Sequence, residues 1–196
     1  MLVDLHIHSV FSDGDMAIPE IIDLYGQRGF GAIAITDHVC ESQTLIGGFA
    51  RAFNLSVTPN SFDFYHDLIE SENERAKKLY GMMVIPGVEL SKNSIRNDRS
   101  AHILALGIQK YISADGSIRE ICDSIHAQGG IAIAAHPVNT RVSEKQTYSL
   151  WNHRDDFAKY FDAWEVASGK HIFSEVMSSE LPIVANSDLH RRHQLE

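Results

Sequence analysis

The chain has 196 residues, a formal net charge of −9, eleven histidines and two cysteines. A chain of this length suits one domain with a sizeable buried core. The acidic balance disfavours broad binding to nucleic acid, because no lysine-rich surface is present to neutralise the phosphates. No apolar run approaches the roughly 18 residues of a membrane span, and two cysteines make no disulfide framework. We therefore predict a single soluble, cytoplasmic domain over residues 1–196, with no membrane contact.

Short apolar runs alternate with helical patterns along the chain. The runs predicted to be strands are residues 2–6, 32–35, 83–85, 102–106, 131–134, 163–166 and 183–185. The predicted helices are residues 19–27, 64–80 and 117–127, the first with a proline near its start. Strands that alternate with helices predict an α/β fold whose mostly parallel sheet is open or closed into a barrel.

Residues 42–61 interrupt this alternation. The segment contains Gly47 and Gly48 and shows no clear hydrophobic period. It is too long for an ordinary connection, so we predict a lid or rim loop, or a short helical insertion. Phe49 and Phe53 in this segment, and Phe62 and Phe64 just after it, either cover a nucleoside or other ring-bearing substrate or pack the segment onto the barrel.

The first predicted strand carries side chains of the kind that bind metals. Residues two apart in a strand share a face, which places Asp4, His6 and His8 together and opposite the apolar residues between them. Two histidines at this spacing can bind one ion, and Asp13, after a short turn, can reach the same ion or a neighbouring one. The pattern therefore predicts a metal site close to the N-terminus.

Other predicted strands also end in potential metal ligands. These residues are Asp37, His38, Glu89, His136, Asp188 and His190, and His102 opens the fourth strand. In α/β barrels the carboxyl ends of the strands converge on one face, where active sites are built. About nine such groups exceed the three or four protein ligands that one zinc ion usually takes. More than one metal ion is therefore expected.

Five segments resemble, in order, the signature blocks of the PHP (polymerase and histidinol phosphatase) superfamily and the Gly-Val-Glu segment between them. The segments are DLHIHS at 4–9 with SDG at 12–14, ITDH at 35–38, GVELS at 87–91, AHP at 135–137 and SDLH at 187–190. The resemblance implies a distorted seven-stranded (β/α)7 barrel of TIM-like form. It also implies two or three divalent metal ions, zinc, manganese or iron, and hydrolysis of a phosphoester by metal-activated water.

The resemblance also implies which residues hold each ion. The first ion would be held by His6, His8, Glu89 and Asp188, the second by Glu89, His102 and His136, and the third by Asp13, His38 and His190. We expect Asp37 to orient one of these ligands from outside the metal shell. A bidentate arginine is the best chemical match to a phosphate, so Arg141, which follows the AHP segment, is a candidate substrate-binding residue, as are Arg191 and Arg192.

These expectations favour a metal-dependent phosphoesterase whose substrate is a small phosphorylated metabolite or a nucleotide. One alternative is a 3′→5′ exonuclease of the proofreading type, which the acidic composition does not favour. Another is a non-catalytic interaction domain that metal ions stabilise. Hydrolysis of a C–N bond, as in amidohydrolases, shares the barrel and the metal chemistry but fits the five segments less well. The sequence leaves the oligomeric state open.

Overall fold

The computed structural model describes residues 1–53, 55–93, 100–138 and 148–195. Within these ranges the strands are β1 (Leu2–Asp4), β2 (Phe30–Ile35), β3 (His38–Cys40), β4 (Met83–Lys92), β5 (Ala101–Leu106), β6 (Ile131–Ala135), β7 (Ala163–Ser168), β8 (His171–Ile172) and β9 (Ile183–Asn186). The α-helices are α1 (Ile18–Gln27), α2 (Leu45–Ala52), α3 (Phe62–Tyr80), α4 (Ile118–His126), α5 (Tyr148–Asn152), α6 (Arg154–Phe157) and α7 (Ser174–Met177).

Seven of these strands form a barrel. β1, β2, β4, β5, β6 and β7 are neighbours in that order, and β9 lies beside β7. Beyond the ends of β1 and β9, Ile7 and Leu189 form a parallel bridge, and the amide of His8 donates to the carbonyl oxygen of Leu189 at 2.8 Å. This bridge joins the first and last strands, so the barrel is nearly closed. The prediction of a seven-stranded, TIM-like α/β barrel is confirmed.

β5 is the exception in an otherwise parallel barrel. It runs antiparallel to both β4 and β6. Its amino end, which carries His102, therefore lies at the same edge of the barrel as the carboxyl ends of the other strands. β2 and β3 both pair with β4, and they do so in the same register, since Ile35 lies opposite Pro86 and His38 lies opposite Glu89. β2 and β3 thus form one interrupted strand that ends at the same edge.

Apolar side chains pack in two layers. Ala34, Leu104, Leu106, Ile133 and Ala135 form a cluster in the barrel interior. A larger cluster lies between the barrel and the helices, to which α1 contributes Ile21, Ile22 and Tyr25. Among the described residues, no helix is long and apolar enough to cross a bilayer. The carboxyl edge of the barrel is left for polar side chains.

Each predicted strand overlaps one strand of the barrel, but β4 is much longer than predicted. The Pro86-Gly87 pair is a typical turn signal, yet both residues lie inside β4. A Cβ at position 87 would lie 2.8 Å from the carbonyl oxygen of Ala105 on β5. Close approach of a neighbouring strand, and not a turn, therefore explains this glycine.

The predicted alternation from Asp4 to His8 is wrong at its beginning. β1 ends at Asp4, whose carboxylate accepts hydrogen bonds from the Tyr25 hydroxyl on α1 at 2.7 Å and from the Ser187 amide at 3.0 Å. Leu5, expected on the face opposite the histidines, packs against the cluster in the barrel interior. Alternation requires continuous strand geometry, and β1 loses it after three residues.

The segment 42–61 contains α2, so it includes a short helical insertion. The amide of Val57, where the segment returns, donates to the carbonyl oxygen of His38 at 2.7 Å. The rings of Phe49 and Phe53 lie 4.2 Å apart and are 64% and 60% exposed. These two rings therefore do not pack the insertion onto the barrel. Phe64 is also exposed, whereas Phe62 is buried in the larger apolar cluster. A function as a lid stays a prediction.

Candidate metal centre

The nine predicted ligands lie together at the carboxyl edge of the barrel. Their imidazole nitrogens and carboxylate oxygens form four groups, and the ligand atoms of each group lie within 4.8 Å of one another. The groups are His6, His8 and Glu89; His6, His136 and Asp188; His38, Glu89 and His102; and His8, Asp13, His38 and His190. Each of the nine side chains therefore has at least two potential co-ligands.

The four groups share more side chains with one another than do the three ligand sets that the family resemblance implies. His8, assigned to the first ion alone, also lies in the group of Asp13, and its ring stacks on that of His190 with centroids 4.0 Å apart. His136 is assigned to the second ion with Glu89, and its Nε2 lies 3.1 Å from Glu89 Oε1. His136 also belongs to a group with His6 and Asp188, which are assigned to the first ion. Neighbouring groups thus share side chains, an arrangement that can hold more than one ion.

One oxygen of each of three carboxylates faces imidazole nitrogens. Asp188 Oδ1 lies 3.3 Å from His8 Nε2, and Glu89 Oε2 lies 3.4 Å from the same nitrogen. Asp13 Oδ1 lies 3.2 Å from His190 Nε2. All three oxygens are buried and make no hydrogen bond of normal geometry, although Glu89 Oε2 also lies 2.8 Å from His38 Nδ1.

The separations of 3.2 to 3.4 Å fit intervening metal ions better than direct hydrogen bonds, whereas the 2.8 Å between Glu89 Oε2 and His38 Nδ1 is within hydrogen-bond length. Two ligand atoms that each lie about 2.1 Å from a tetrahedral zinc ion are about 3.4 Å apart, whereas a nitrogen–oxygen hydrogen bond is about 2.9 Å long. A buried carboxylate oxygen without a partner is costly, and a cation among the ligands supplies the missing interaction. The donor set of imidazole nitrogens and carboxylate oxygens suits divalent zinc, manganese and iron.

Glu89 connects the groups. Its side chain is completely buried. Oε1 lies 2.7 Å from His102 Nδ1 and 3.1 Å from His136 Nε2, while Oε2 lies 3.5 Å from His6 Nε2 and 3.4 Å from His8 Nε2. A carboxylate with one oxygen toward each set of nitrogens can bridge two ions.

Protonation states in the centre suit metal binding. Burial lowers the pKa of His8 to about 3, and the neighbouring imidazoles of His38 and His190 act in the same direction. His8 is therefore neutral near pH 7, which is the state in which an imidazole binds a metal. Burial raises the pKa of Glu89, but the surrounding imidazoles, that of His102 first, outweigh it and hold this pKa well below its usual range.

Hydrogen bonds at the outer ring nitrogens orient two further imidazoles. Nδ1 of His190 donates to the carbonyl oxygen of Asp188 at 2.9 Å, and Nδ1 of His38 lies 2.7 Å from the Ser91 hydroxyl. In His190 this donation leaves Nε2, which lies 3.2 Å from Asp13 Oδ1, as the ligand nitrogen. In His38, Nδ1 also lies 2.8 Å from Glu89 Oε2, and Nε2 lies 3.5 Å from Asp13 Oδ1. Such contacts fix the tautomer of a metal ligand and raise its basicity.

Asp37 lies behind the ligands and not among them. Its fully buried carboxylate accepts hydrogen bonds from the amide and hydroxyl of Ser9, at 2.8 and 2.7 Å, and from the hydroxyl of Ser12 at 2.6 Å. These bonds hold the turn that carries Asp13. These bonds are consistent with the expectation that Asp37 orients the ligands from outside the metal shell, and that role stays a prediction.

The arginines proposed to bind phosphate fall into two cases. Arg141 lies outside the described residues. Arg191 and Arg192 are exposed beyond His190, and the Arg191 guanidinium donates to the carbonyl oxygen of Asp13 at 2.6 Å. Arg191 thus lies at the rim of the centre, beside the turn that carries Asp13.

Sequence reasoning missed two residues that support the centre. Glu165, on β7, lies 2.9 Å from His6 Nδ1, and Tyr25, on α1, donates to Asp4. The signal for Glu165 was an acidic residue inside the apolar run 163–166, where a carboxylate requires a buried partner. Tyr25 offered no comparable signal, because a tyrosine on the inner face of an amphipathic helix is an ordinary core residue.

Gly14 allows the turn after His8 to close. A Cβ at this position would lie 2.5 Å from the carbonyl oxygen of His8 and 2.8 Å from the amide nitrogen of Ser9. Gly14→Ala would therefore displace the adjacent Asp13, and we expect affinity for one ion to fall by about 10-fold to 100-fold. Metal titration measures this loss. Gly48→Ala, where a Cβ would meet no atom, is the control, and equal losses in both variants would contradict the prediction.

The Tyr25 hydroxyl stabilises the buried Asp4 carboxylate at 2.7 Å. Tyr25→Phe is expected to lower the free energy of unfolding by about 1–3 kcal/mol, because a buried carboxylate loses a donor. For a chain of this size, each kcal/mol corresponds to a decrease in Tm of about 2–4 °C. Thermal denaturation measures the change. Tyr160→Phe, at a half-buried ring, is the control, and an unchanged Tm in Tyr25→Phe would refute the prediction.

Comparison with known sequences gives a family and one curated relative. The sequence profile of the PHP domain family matches residues 4–179. A phosphoribosyl 1,2-cyclic phosphate 1,2-diphosphodiesterase from Eggerthella lenta is 27% identical over 110 residues, which cover 56% of this chain and 32% of that protein. The chain spans about a third of the length of this relative.

Two solved structures are similar to this chain over nearly its whole length. A two-domain protein from Bacteroides vulgatus, described as containing a predicted PHP-like metal-dependent phosphoesterase, gives a TM-score of 0.58 at 21% identity, over 98% of this chain and 53% of that one. An amidohydrolase from Chromobacterium violaceum gives 0.62 at 20% identity, over 98% and 88%. These identities show the fold alone. Because the family profile covers most of the sequence, the chain belongs to the PHP domain family.

Proposed function

We propose that this chain hydrolyses a phosphoester of a small phosphorylated metabolite or nucleotide, with two or three bound divalent ions of zinc, manganese or iron. The observation that carries the proposal is the set of buried carboxylate oxygens on Asp13, Glu89 and Asp188 that face imidazole nitrogens without a hydrogen bond. Membership of the PHP domain family supports it, as does the phosphodiesterase named as a relative in Eggerthella lenta.

The residues of the chain have distinct tasks in this proposal. When bound, divalent ions activate water as a nucleophile and neutralise the charge that develops on the phosphoryl oxygens. Glu89 holds neighbouring groups of ligands together, and Asp37 positions the turn of Asp13. Burial raises the pKa of the nearby Cys40 thiol, which argues against a thiolate nucleophile.

The charge of the chain favours a small substrate. A formal net charge of −9 repels a long polyanion, whose binding depends on many phosphate contacts to lysine and arginine. Cations held in the centre reverse the local charge and attract a single phosphate group. A metabolite or nucleotide is therefore a better match than a nucleic acid.

The test is hydrolysis by the purified protein after loading with zinc, manganese or iron. The substrates are p-nitrophenyl phosphate, its bis-ester, nucleoside phosphates, a labelled oligonucleotide and an amide. We expect metal-dependent release of phosphate or of the ester leaving group from a small phosphoester, and a decrease of at least about 100-fold in Asp188→Asn. Glu175→Gln, at an exposed site on α7, should retain activity.

Three outcomes would contradict the proposal in different ways. Hydrolysis of the oligonucleotide in preference to the small esters would favour an exonuclease. Cleavage of the amide alone would favour C–N hydrolysis. Tightly bound metal with no turnover of any substrate would favour a metal-stabilised interaction domain.

A further inference from the structure

An extra residue in β7 places the Ser168 side chain on the same face as Glu165, toward the metal centre. In the pairing with β9, the partners of Glu165 and Ala167 are consecutive residues, so Val166 is inserted into the register. In a regular strand, Glu165 and Ser168 would face opposite sides because they are three positions apart. The insertion reverses the alternation, and both side chains contact candidate ligands. Bulges redirect side chains in this way near active sites.

Glu165 is fully buried and uses both carboxylate oxygens. Oε1 accepts from His6 Nδ1 at 2.9 Å and from the Asn186 side-chain amide at 2.8 Å. Oε2 accepts from the backbone N–H of His136 at 2.6 Å. Both oxygens of Glu165 are therefore occupied by N–H groups.

The bond to His6 determines which ring nitrogen faces the centre. Because Nδ1 bonds to Glu165, Nε2 is the ring nitrogen of His6 that is left to bind an ion. That nitrogen is 3.3 Å from Asp188 Oδ1 and 3.5 Å from Glu89 Oε2. A carboxylate bonded to the far side of an imidazole also raises its basicity as a ligand.

The bond to His136 holds a strained backbone. φ at His136 is 24°, in a region that costs a non-glycine residue free energy and persists only where other contacts maintain it. The hydrogen bond from the His136 amide to Glu165 is such a contact. Glu165 therefore restrains two candidate ligands through two different parts of their structure.

We propose that Glu165 is a positioning residue for the ions that His6 and His136 hold, an inference that rests on the metal binding in the proposed function. Its side-chain hydrogen bonds within the described residues go to His6, His136 and Asn186. The turn of Asp13 depends instead on Asp37. Loss of Glu165 therefore weakens one part of the centre and leaves the other intact.

The test compares Glu165→Gln, Asp37→Asn and the exposed control Glu175→Gln, each loaded with cadmium and containing isotope-labelled histidine. Cadmium–nitrogen couplings in NMR spectra report which imidazoles bind an ion, and titration gives the affinities. In Glu165→Gln we expect affinity at His6 and His136 to fall by about 10-fold to 100-fold, with the coupling to His190 retained. In Asp37→Asn we expect the coupling to His190 to be lost and the affinity at His6 and His136 to be retained. Glu175→Gln should match the wild type.

Equal cadmium affinities in Glu165→Gln and the wild type would overturn only the inference about Glu165. A wild type that binds no cadmium would overturn the proposed function as well. A loss spread equally over His6, His136 and His190 would also count against a specific positioning role. The wild type supplies an independent test if the variant does not fold. Coupling of His6 to cadmium through Nε2, with Nδ1 protonated, is expected, and coupling through Nδ1 would overturn the inference.

Discussion

Glu89→Gln is expected to reduce phosphoester hydrolysis by at least about 10³-fold and to release ions from the centre. The Glu89 carboxylate lies among five imidazoles, those of His6, His8, His38, His102 and His136. Glutamine keeps the shape of the side chain but replaces one oxygen with an amide group that has no lone pair for a metal. One substitution therefore removes a negative charge and a ligand from neighbouring groups at once.

Initial rates and elemental analysis of Glu89→Gln measure this effect beside the control Glu175→Gln. The control makes the same chemical change at an exposed position, so it should keep the rate and metal content of the wild type. Circular dichroism establishes that the variant is folded. Wild-type rate and metal content in a folded Glu89→Gln protein would refute a bridging role for Glu89.

Removal of the metal ions is expected to lower the Tm strongly. An ion present at about 1,000 times its Kd stabilises the folded protein by about 4 kcal/mol. For a chain of this size, that free energy corresponds to a decrease of about 8–16 °C for each ion removed. The physical cause is the crowding of buried ligands, since Asp13 Oδ1, Glu89 Oε2 and Asp188 Oδ1 have no hydrogen bond of their own.

Thermal denaturation with and without a strong chelator measures this decrease. Asp188→Asn, which lacks a ligand, should respond less to the chelator than the wild type. Restoration of the Tm by added zinc or manganese would show that the chelator acts through the ions. An unchanged Tm after verified removal of the ions would contradict metal stabilisation.

The stabilisation by metal is expected to decrease as the pH falls. Burial lowers the pKa of His6, but Asp188, Glu165 and Glu89 outweigh it and raise the pKa well above its usual range. In the metal-free protein His6 therefore carries a proton on both ring nitrogens near neutral pH. An ion must displace one of these protons to bind. Because binding releases protons, affinity rises with pH, and the difference in Tm with and without chelator should shrink from about pH 7.5 to about pH 5.5. A constant difference over this range would contradict the prediction.

The position of His102 illustrates how far a strand pattern predicts a site. A histidine at the start of a strand disagrees with the rule that active sites lie at carboxyl ends in a parallel barrel. The disagreement disappears because β5 is antiparallel to its neighbours. Strand direction depends on how the connection to the next strand runs, and short apolar runs contain no information on it.

Asp4 and Glu165 are errors of two kinds: the spacing wrongly placed Asp4 with the histidines, and it missed Glu165. Asp4 shares the spacing of His6 and His8, yet it turns toward Tyr25 because β1 ends there. Glu165 has no motif around it, yet it lies two residues after Ala163 on the interior face of β7 and reaches His6. The end of a strand and the position of one strand relative to another decide where these two side chains lie, and local periodicity contains neither.

Residue type and local spacing were enough to predict seven strands, an α/β fold and potential metal ligands at the strand ends, since these properties depend on neighbours in the chain. The closed barrel and the assignment of nine ligands followed from the resemblance to the PHP superfamily. The contacts among the nine depend on barrel closure. Asp188 meets His8 only because Ile7 pairs with Leu189, far along the chain. The tertiary structure therefore decided how the ligands are shared and which buried carboxylates support them, because strand register across the barrel is a long-range property that no local pattern contains.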